Sequence, residues 1–134
     1  MDRIWGSKPK GEFEEARKRS DIILEEPRII ETVNNRIYFY SDIDRGEILS
    51  LNKNLREREA EYISTMHNYS MDKPTPIHLH INSYGGSIFS GLAGMDEIIS
   101  ISKKVPVNTI IDGCCASAAT FLSVVGSRRY INRN

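Results

Sequence analysis

Two short segments contain the residues whose types and spacing could perform chemistry. Residues 81–87 have the sequence INSYGGS, and residues 112–120 have the sequence DGCCASAAT. A glycine pair at the end of an apolar strand leaves backbone N–H groups open, because no Cβ blocks the approach of a carbonyl oxygen. The second segment sets Ser117 among small residues directly before an apolar run, where the first N–H groups of a helix lack acceptors. Together they predict an oxyanion hole beside a nucleophilic hydroxyl.

The elements that must position these segments alternate between strands and helices. The patterns predict strands over 36–40, 77–82 and 105–111, helices over 49–66, 87–102 and 118–125, a turn over 113–116 and a further strand from Tyr130. Such alternation with short joints indicates an α/β fold with a parallel sheet and right-handed crossovers. Both segments then fall at the carboxyl ends of neighbouring strands, where open α/β sheets bind their ligands.

Length and composition exclude several classes of protein. The chain has 134 residues, the length of one domain, and its 18 basic residues balance its 18 acidic ones, so net charge indicates no nucleic-acid partner. No stretch approaches the ~18 apolar residues of a spanning helix, and the first residues lack a signal-peptide core. Cys114 and Cys115 are adjacent, which favours free thiols over a disulfide. We therefore expect no membrane association and a cytoplasmic location.

Residues 1–35 are rich in charge and are predicted to form an N-terminal extension to a domain over 36–134. Such a charged run is typical of a solvated helix, a mobile arm or a segment that contacts a neighbouring subunit. The sequence leaves these three alternatives open.

Each chemical segment also has a purely structural explanation. A strand-to-helix turn often needs glycine for a positive φ, and a small residue such as Ser117 permits close helix packing. Phosphate binding is disfavoured, because neither glycine-rich phosphate motif is present. His78 and His80 share one strand face, but no cysteine or carboxylate ligand pattern accompanies them, and His67 lies at a helix end. We expect neither a metal nor a cofactor.

The two segments resemble those of a known family. Residues 82–93, NSYGGSIFSGLA, are similar to the INSPGGxxxxGL segment of the Clp protease proteolytic subunit, and residues 113–122, GCCASAATFL, resemble that family's GxAASMxxxL turn. The resemblance covers residues 36–134. It implies a crotonase-like α/β fold, a ββα spiral core with parallel strands and crossover helices that is incomplete at the C-terminus.

The resemblance also implies a role for each matching residue. Ser117 would be the catalytic nucleophile, the amides of Gly86 and Ala118 would form the oxyanion hole, and the rim of Gly85, Ser87 and Ile88 would bind substrate by β-augmentation. Tyr84 stands where the family has proline, Ala118 where it has methionine, and the cysteine pair replaces less reactive residues. None of these departures removes a backbone donor.

The catalytic base is absent from the matching residues. A serine hydroxyl needs a base, commonly a histidine oriented by a carboxylate, and the family places both beyond residue 134. Residues 130–133, YINR, resemble the lead into the family's histidine strand. We therefore expect the sequence to be an N-terminal piece that is inactive alone.

The activity that the resemblance implies is ATP-dependent serine endopeptidase action on unfolded polypeptides. The implied partners are a Clp-family ATPase and identical subunits stacked as two seven-membered rings. Two alternatives stay open. One is another crotonase-type enzyme that stabilises a thioester enolate, with Ser117 structural, and the other is an inactive paralogue that fills ring positions or regulates assembly.

Overall fold

The computed structural model of the protein describes residues 29–133. Five strands form one sheet in the order β1-β2-β3-β4-β5, in which only β1 is antiparallel to its neighbour. The strands are β1 (Ile29–Val33), β2 (Arg36–Tyr40), β3 (Ile77–Ser83), β4 (Val107–Cys115) and β5 (Arg129–Ile131). The α-helices among the described residues are α1 (Arg45–Asn68), α2 (Ile88–Ser102) and α3 (Thr120–Val124), with a 3₁₀ turn over Ser117–Ala119. The predicted α/β class with a parallel sheet core is confirmed.

One face of the sheet packs on the helices and forms the hydrophobic core. Alternate residues of β2 and β3 lie in this core, because successive side chains of a strand point to opposite faces. The fully buried members of the core on these strands are Ile37, Phe39, Ile77, Leu79 and Ile81, and the helices contribute Leu51, Leu55, Ile98, Ile101 and Leu122. The opposite face carries mainly polar and aromatic side chains.

The N-terminal strand β1 pairs with β2 through a tight hairpin, with Val33 opposite Arg36. The sheet therefore begins N-terminal to the predicted boundary at residue 35. Residues 1–28, which contain the charged run, lie outside the described residues, and the division into an extension and a domain stays a prediction.

Helix α1 begins four residues before the predicted start, because Asp44 caps it and accepts a hydrogen bond from the amide of Glu47 at 3.1 Å. Helix α2 has the predicted extent, with Ser87 as its N-cap. The apolar residues that recur at intervals of three and four predict a helix face packed against the preceding strand, namely Ile88, Leu92, Met95, Ile98 and Ile99. The buried face of the helix differs from this prediction. Ile98 is buried, but Ile88 is 59% exposed and Ile99 is 42% exposed.

Two glycines explain which face of α2 is buried. A Cβ at Gly94 would lie 2.6 Å from Cδ2 of Leu122, and a Cβ at Gly91 would lie 2.9 Å from Cδ2 of Phe121. The two glycines therefore let α3 approach α2 closely. This close packing turns the larger apolar side chains at the start of α2 towards solvent.

The predicted turn over residues 113–116 is wrong, because most of these residues belong to strand β4. Rather than ending at Ile111, the strand continues through Gly113 to Cys115, which pairs with Ser83 of β3. Gly113 has a φ of 88° and lies in a bulge, a conformation that glycine adopts without strain. The helical region that follows starts with the 3₁₀ turn instead of the α-helix predicted from residue 118.

Candidate functional site

The glycine turn follows β3 and is held by the loop before α1. The amide of Ile43 donates to the carbonyl of Gly85 at 2.8 Å, and the amide of Ser87 donates to the carbonyl of Ile43 at 2.7 Å. Gly85 and Gly86 have φ values of 103° and 150°, which residues with a Cβ rarely adopt. A Cβ at position 86 would lie 2.2 Å from the carbonyl oxygen of Ile43. The backbone path of this turn therefore requires glycine.

The serine turn follows β4 and contains a strained residue. Ser117 has a φ of 53°, a left-handed conformation that costs a non-glycine residue about 1–3 kcal/mol and is found preferentially at functional sites. The side chain of Thr120 donates to the carbonyl of Ser117 at 2.7 Å. Ser117 itself is exposed. The turn thus presents its hydroxyl-bearing residue at the surface, on a sharp strand-to-helix bend.

The two turns lie against each other, as the sequence predicts. The amide of Ala116 donates to the carbonyl of Ser83 at 3.0 Å, which joins the ends of β3 and β4. A Cβ at Gly85 would lie 2.7 Å from the Cβ of Ser117 and 3.2 Å from the amide nitrogen of Ala118. Only glycine at position 85 permits this approach, so the spacing of the site depends on it.

Two backbone amides at this junction have no acceptor. Within residues 29–133, the N–H groups of Gly86 and Ala118 donate no hydrogen bond, whereas the amide of Gly85 donates to Oγ of Ser83 at 3.1 Å. Ala118 is only 2% exposed, and an unpaired amide in a buried residue is uncommon. Unpaired donors beside a serine can stabilise negative charge on a reacting oxygen.

The remaining predicted substrate residues lie at the rim of the site. Ser87 caps α2, its Oγ accepting from the amide of Ser90 at 3.3 Å, and Ile88 is the first residue of that helix. Both are exposed. Because the amide of Ser87 is already bonded to Ile43, backbone pairing of a peptide at this rim must use other donors.

The described histidines do not reach Ser117. His80 lies in β3 opposite Ile110, three residues before Ser83, or about 10 Å back along the strand. Nδ1 of His80 lies 2.8 Å from Asp112, and Nε2 lies 3.0 Å from the guanidinium of Arg36. Since arginine only donates, Nε2 accepts and the neutral ring donates from Nδ1. Both ring nitrogens of His80 are therefore occupied.

The other two histidines offer no base either. His78 lies two residues before His80 in β3 and is paired with Arg36 of β2. His67 lies in the last turn of α1. Neither forms a hydrogen bond with Ser117 in the described part of the chain. The described residues thus supply a hydroxyl and two donors but no base.

A polar cluster on the sheet face opposite the described helices was missed by sequence reasoning. The carboxylate of Asp112 accepts from the hydroxyl of Tyr40 at 2.7 Å, from His80, and from the side-chain amide of Asn132 at 2.8 Å. Burial, together with the hydrogen bond and the negative charge of Asp112, raises the pKa of Tyr40 to about 12. The available signal was an acidic residue directly before a glycine, immediately after the strand predicted to lie beside the one with two histidines.

The described residues also bear on metal binding, on a disulfide and on a membrane-spanning helix. No group of three or more histidine, cysteine or acidic side chains could hold a metal ion within residues 29–133. Cys114 and Cys115 are free, and burial raises the pKa of the Cys115 thiol. No helix in this part of the chain is long and apolar enough to cross a membrane.

Comparison with protein families identifies the chain's relationship to known proteins. The family model described as Clp protease matches residues 31–133, which include β2 to β5, both turns and nearly all of the described structure.

Proposed function

The chain belongs to the Clp protease family, and we propose that it acts as a serine endopeptidase subunit with Ser117 as nucleophile. The proposal depends on one observation. A strained, exposed serine lies against the glycine turn, and the amides of Gly86 and Ala118 in these two turns donate no hydrogen bond within residues 29–133. Structural packing alone gives no reason to leave a buried amide such as that of Ala118 unpaired.

The proposed reaction proceeds through an acyl-enzyme. Oγ of Ser117 attacks the carbonyl carbon of the scissile peptide while its proton passes to a base. The amides of Gly86 and Ala118 stabilise the oxyanion, the amine leaves with a proton, and water then hydrolyses the ester. Removing one such donor typically lowers turnover by roughly 100-fold to 1,000-fold. Gly85, Ser87 and Ile88 line the proposed path of the substrate.

The base is proposed to come from outside these 134 residues. All three histidines of the sequence are described, and none contacts Ser117. A histidine oriented by a carboxylate would complete the site. We place it in polypeptide that packs against the ends of β3 and β4.

The biological setting follows from family membership and is likewise part of the proposal. We propose unfolded polypeptide as substrate, a Clp-family ATPase as partner, a ring-shaped homo-oligomer, and a cytoplasmic location. The two free cysteines agree with a reducing compartment.

A second candidate function is an inactive paralogue that occupies ring positions. The observation that favours it is the lack of a described base near Ser117. In that case the serine turn would be retained for its backbone geometry alone.

A fluorophosphonate probe tests the proposed function in the protein expressed from its own gene. We expect covalent labelling at Ser117 and complete loss of labelling in Ser117→Ala. Ser64→Ala, which removes an exposed hydroxyl near the C-terminal end of α1, is the matched control and should label like the unmodified protein. A folded, assembled protein that fails to label would support the inactive paralogue and contradict peptidase action.

A further inference from the structure

The bulge in β4 sets the course of the chain towards Ser117. Ile111 pairs with Ile81, but the next recorded pair is Cys115 with Ser83, so β4 advances four residues while β3 advances two. Gly113 lies within this bulge, and a Cβ there would lie 3.7 Å from the side-chain amide of Asn82. Bulges re-aim the residues that follow them and are common beside active sites.

Asp112 stands at the start of the bulge and connects it to the rest of the sheet. Its Oδ2 accepts from Tyr40 of β2 and from His80 of β3, and its Oδ1 accepts from Asn132, which follows β5. The side chain of Asp112 is only 13% exposed. Hydrogen bonds to a charged, poorly hydrated acceptor are stronger than those between neutral groups. One carboxylate thus links β4 to β2, β3 and the residues after β5.

The imidazole of His80, which donates from β3, is held in one tautomer and one orientation. Arg36 donates to Nε2 of His80, which leaves the ring proton on Nδ1 for Asp112. Tyr38 stacks on the same ring, with centroids 4.6 Å apart and planes inclined by 22°. The imidazole therefore can neither rotate nor change tautomer without losing contacts on several sides.

We propose that Asp112 is a positioning residue that fixes the β4 bulge and, through it, the strained turn at Ser117. The inference deepens the proposed function and rests on it, because a turn held at a φ of 53° relaxes unless the chain on either side is fixed. Thr120 fixes the side after Ser117. Asp112 fixes the side before it. Asp112 is five residues from Ser117 and takes no part in the chemistry.

A thiol measurement tests the structural part without any need for activity. Cys115 lies between the bulge and Ser117 and packs against the core, so its reaction rate with iodoacetamide reports opening of this segment. In a Cys114→Ala background, Cys115 is the only cysteine of the sequence. We expect Asp112→Asn to raise its alkylation rate by about 10-fold or more, because three donors lose a charged acceptor.

The control and the denaturant dependence separate local from global effects. Asp96→Asn removes the same charge from the exposed side of α2 and should change the rate by less than about twofold. The higher alkylation rate of Cys115 in the Asp112→Asn variant should not change at low urea concentrations, as expected for local opening. An unchanged rate, or one that tracks global unfolding, overturns the proposal. Should Asp112→Asn not fold, Tyr40→Phe removes one donor only and should raise the rate by a smaller factor.

Labelling kinetics test the link to Ser117. In protein that the fluorophosphonate labels, Asp112→Asn should lower the maximal inactivation rate by roughly 10-fold to 100-fold, since small displacements of a reacting group cost that much. The half-saturating probe concentration should not change. Equal rates in both proteins overturn the positioning role. If the unmodified protein is not labelled, the result counts against peptidase action. The thiol measurement then still tests whether Asp112 fixes the bulge.

Discussion

On one face of β3, Leu79 and Ile81 are completely buried beneath the helices, whereas on the other face His78 and His80 belong to a polar layer that none of the helices described in residues 29–133 covers. Burial of apolar side chains stabilises the fold with little dependence on direction. The hydrogen bonds to Asp112 depend on direction, and they converge at the bulge that leads to Ser117. We infer that the apolar face supplies most of the stability and that the polar face sets the geometry of the site.

The largest expected effect is loss of stability from the apolar face. Leu79→Ala should lower the free energy of unfolding by about 2–5 kcal/mol, because it removes a fully buried side chain and leaves a cavity. Urea denaturation measures this difference. His78→Ala, at the adjacent residue on the polar face, should cost about 1 kcal/mol or less. Equal losses in the two variants would contradict the division of roles between the faces.

An intermediate effect is expected from a single hydroxyl on the polar face. Tyr40→Phe should lower the free energy of unfolding by about 1–2 kcal/mol, because it leaves Asp112 with one donor fewer. Tyr38→Phe is the matched control, since no hydrogen bond of its hydroxyl is found in the described residues and its ring still stacks on His80. The absorbance of Tyr40 should titrate near pH 12 in the native protein, as its raised pKa requires. Identical stabilities for both variants would show that the Tyr40 bond contributes nothing.

The smallest effect is a pH dependence on the polar face. Burial lowers the pKa of His78 below 6.5, and the positive charge of Arg36 lowers it further. The unfolded chain therefore binds the proton more readily, so this contribution to stability is present above about pH 6.5 and is lost as the pH falls below it. In denaturation series at several pH values, His78→Gln should lose less stability on acidification than the unmodified protein. The reverse order would show that protonated His78 is stabilised in the fold.

The apolar face and the two turns could be predicted from the sequence, and the polar network could not. Alternation in 36–40 and 77–82 indicates which side chains face the core, and glycines after one strand with small residues after the next indicate that the two turns approach. The contact between Gly85 and Ser117 follows from the parallel pairing of β3 and β4. These features depend on local patterns and on one topological rule.

The missed features depend on long-range register. His80 and Asp112 are 32 positions apart, and their contact depends on the register of β3 against β4, which no local pattern specifies. Strand β1 was hidden in a segment whose charge dominates its composition. Helix α2 was predicted to bury its large apolar residues, but close packing at Gly91 and Gly94 selected a different face. In each case a tertiary contact overrode a local preference.

The main-chain contact between Ile43 and Gly86 has a consequence for mutational scanning. The space beside Cα of residue 86 is filled by a carbonyl oxygen, so every side chain there collides with backbone before any chemistry is affected. A saturation library will score position 86 as intolerant whether or not its amide meets a substrate. Amide-to-ester replacement at residue 86 deletes the N–H while adding no atom on that side, and so probes the donor separately from the fit.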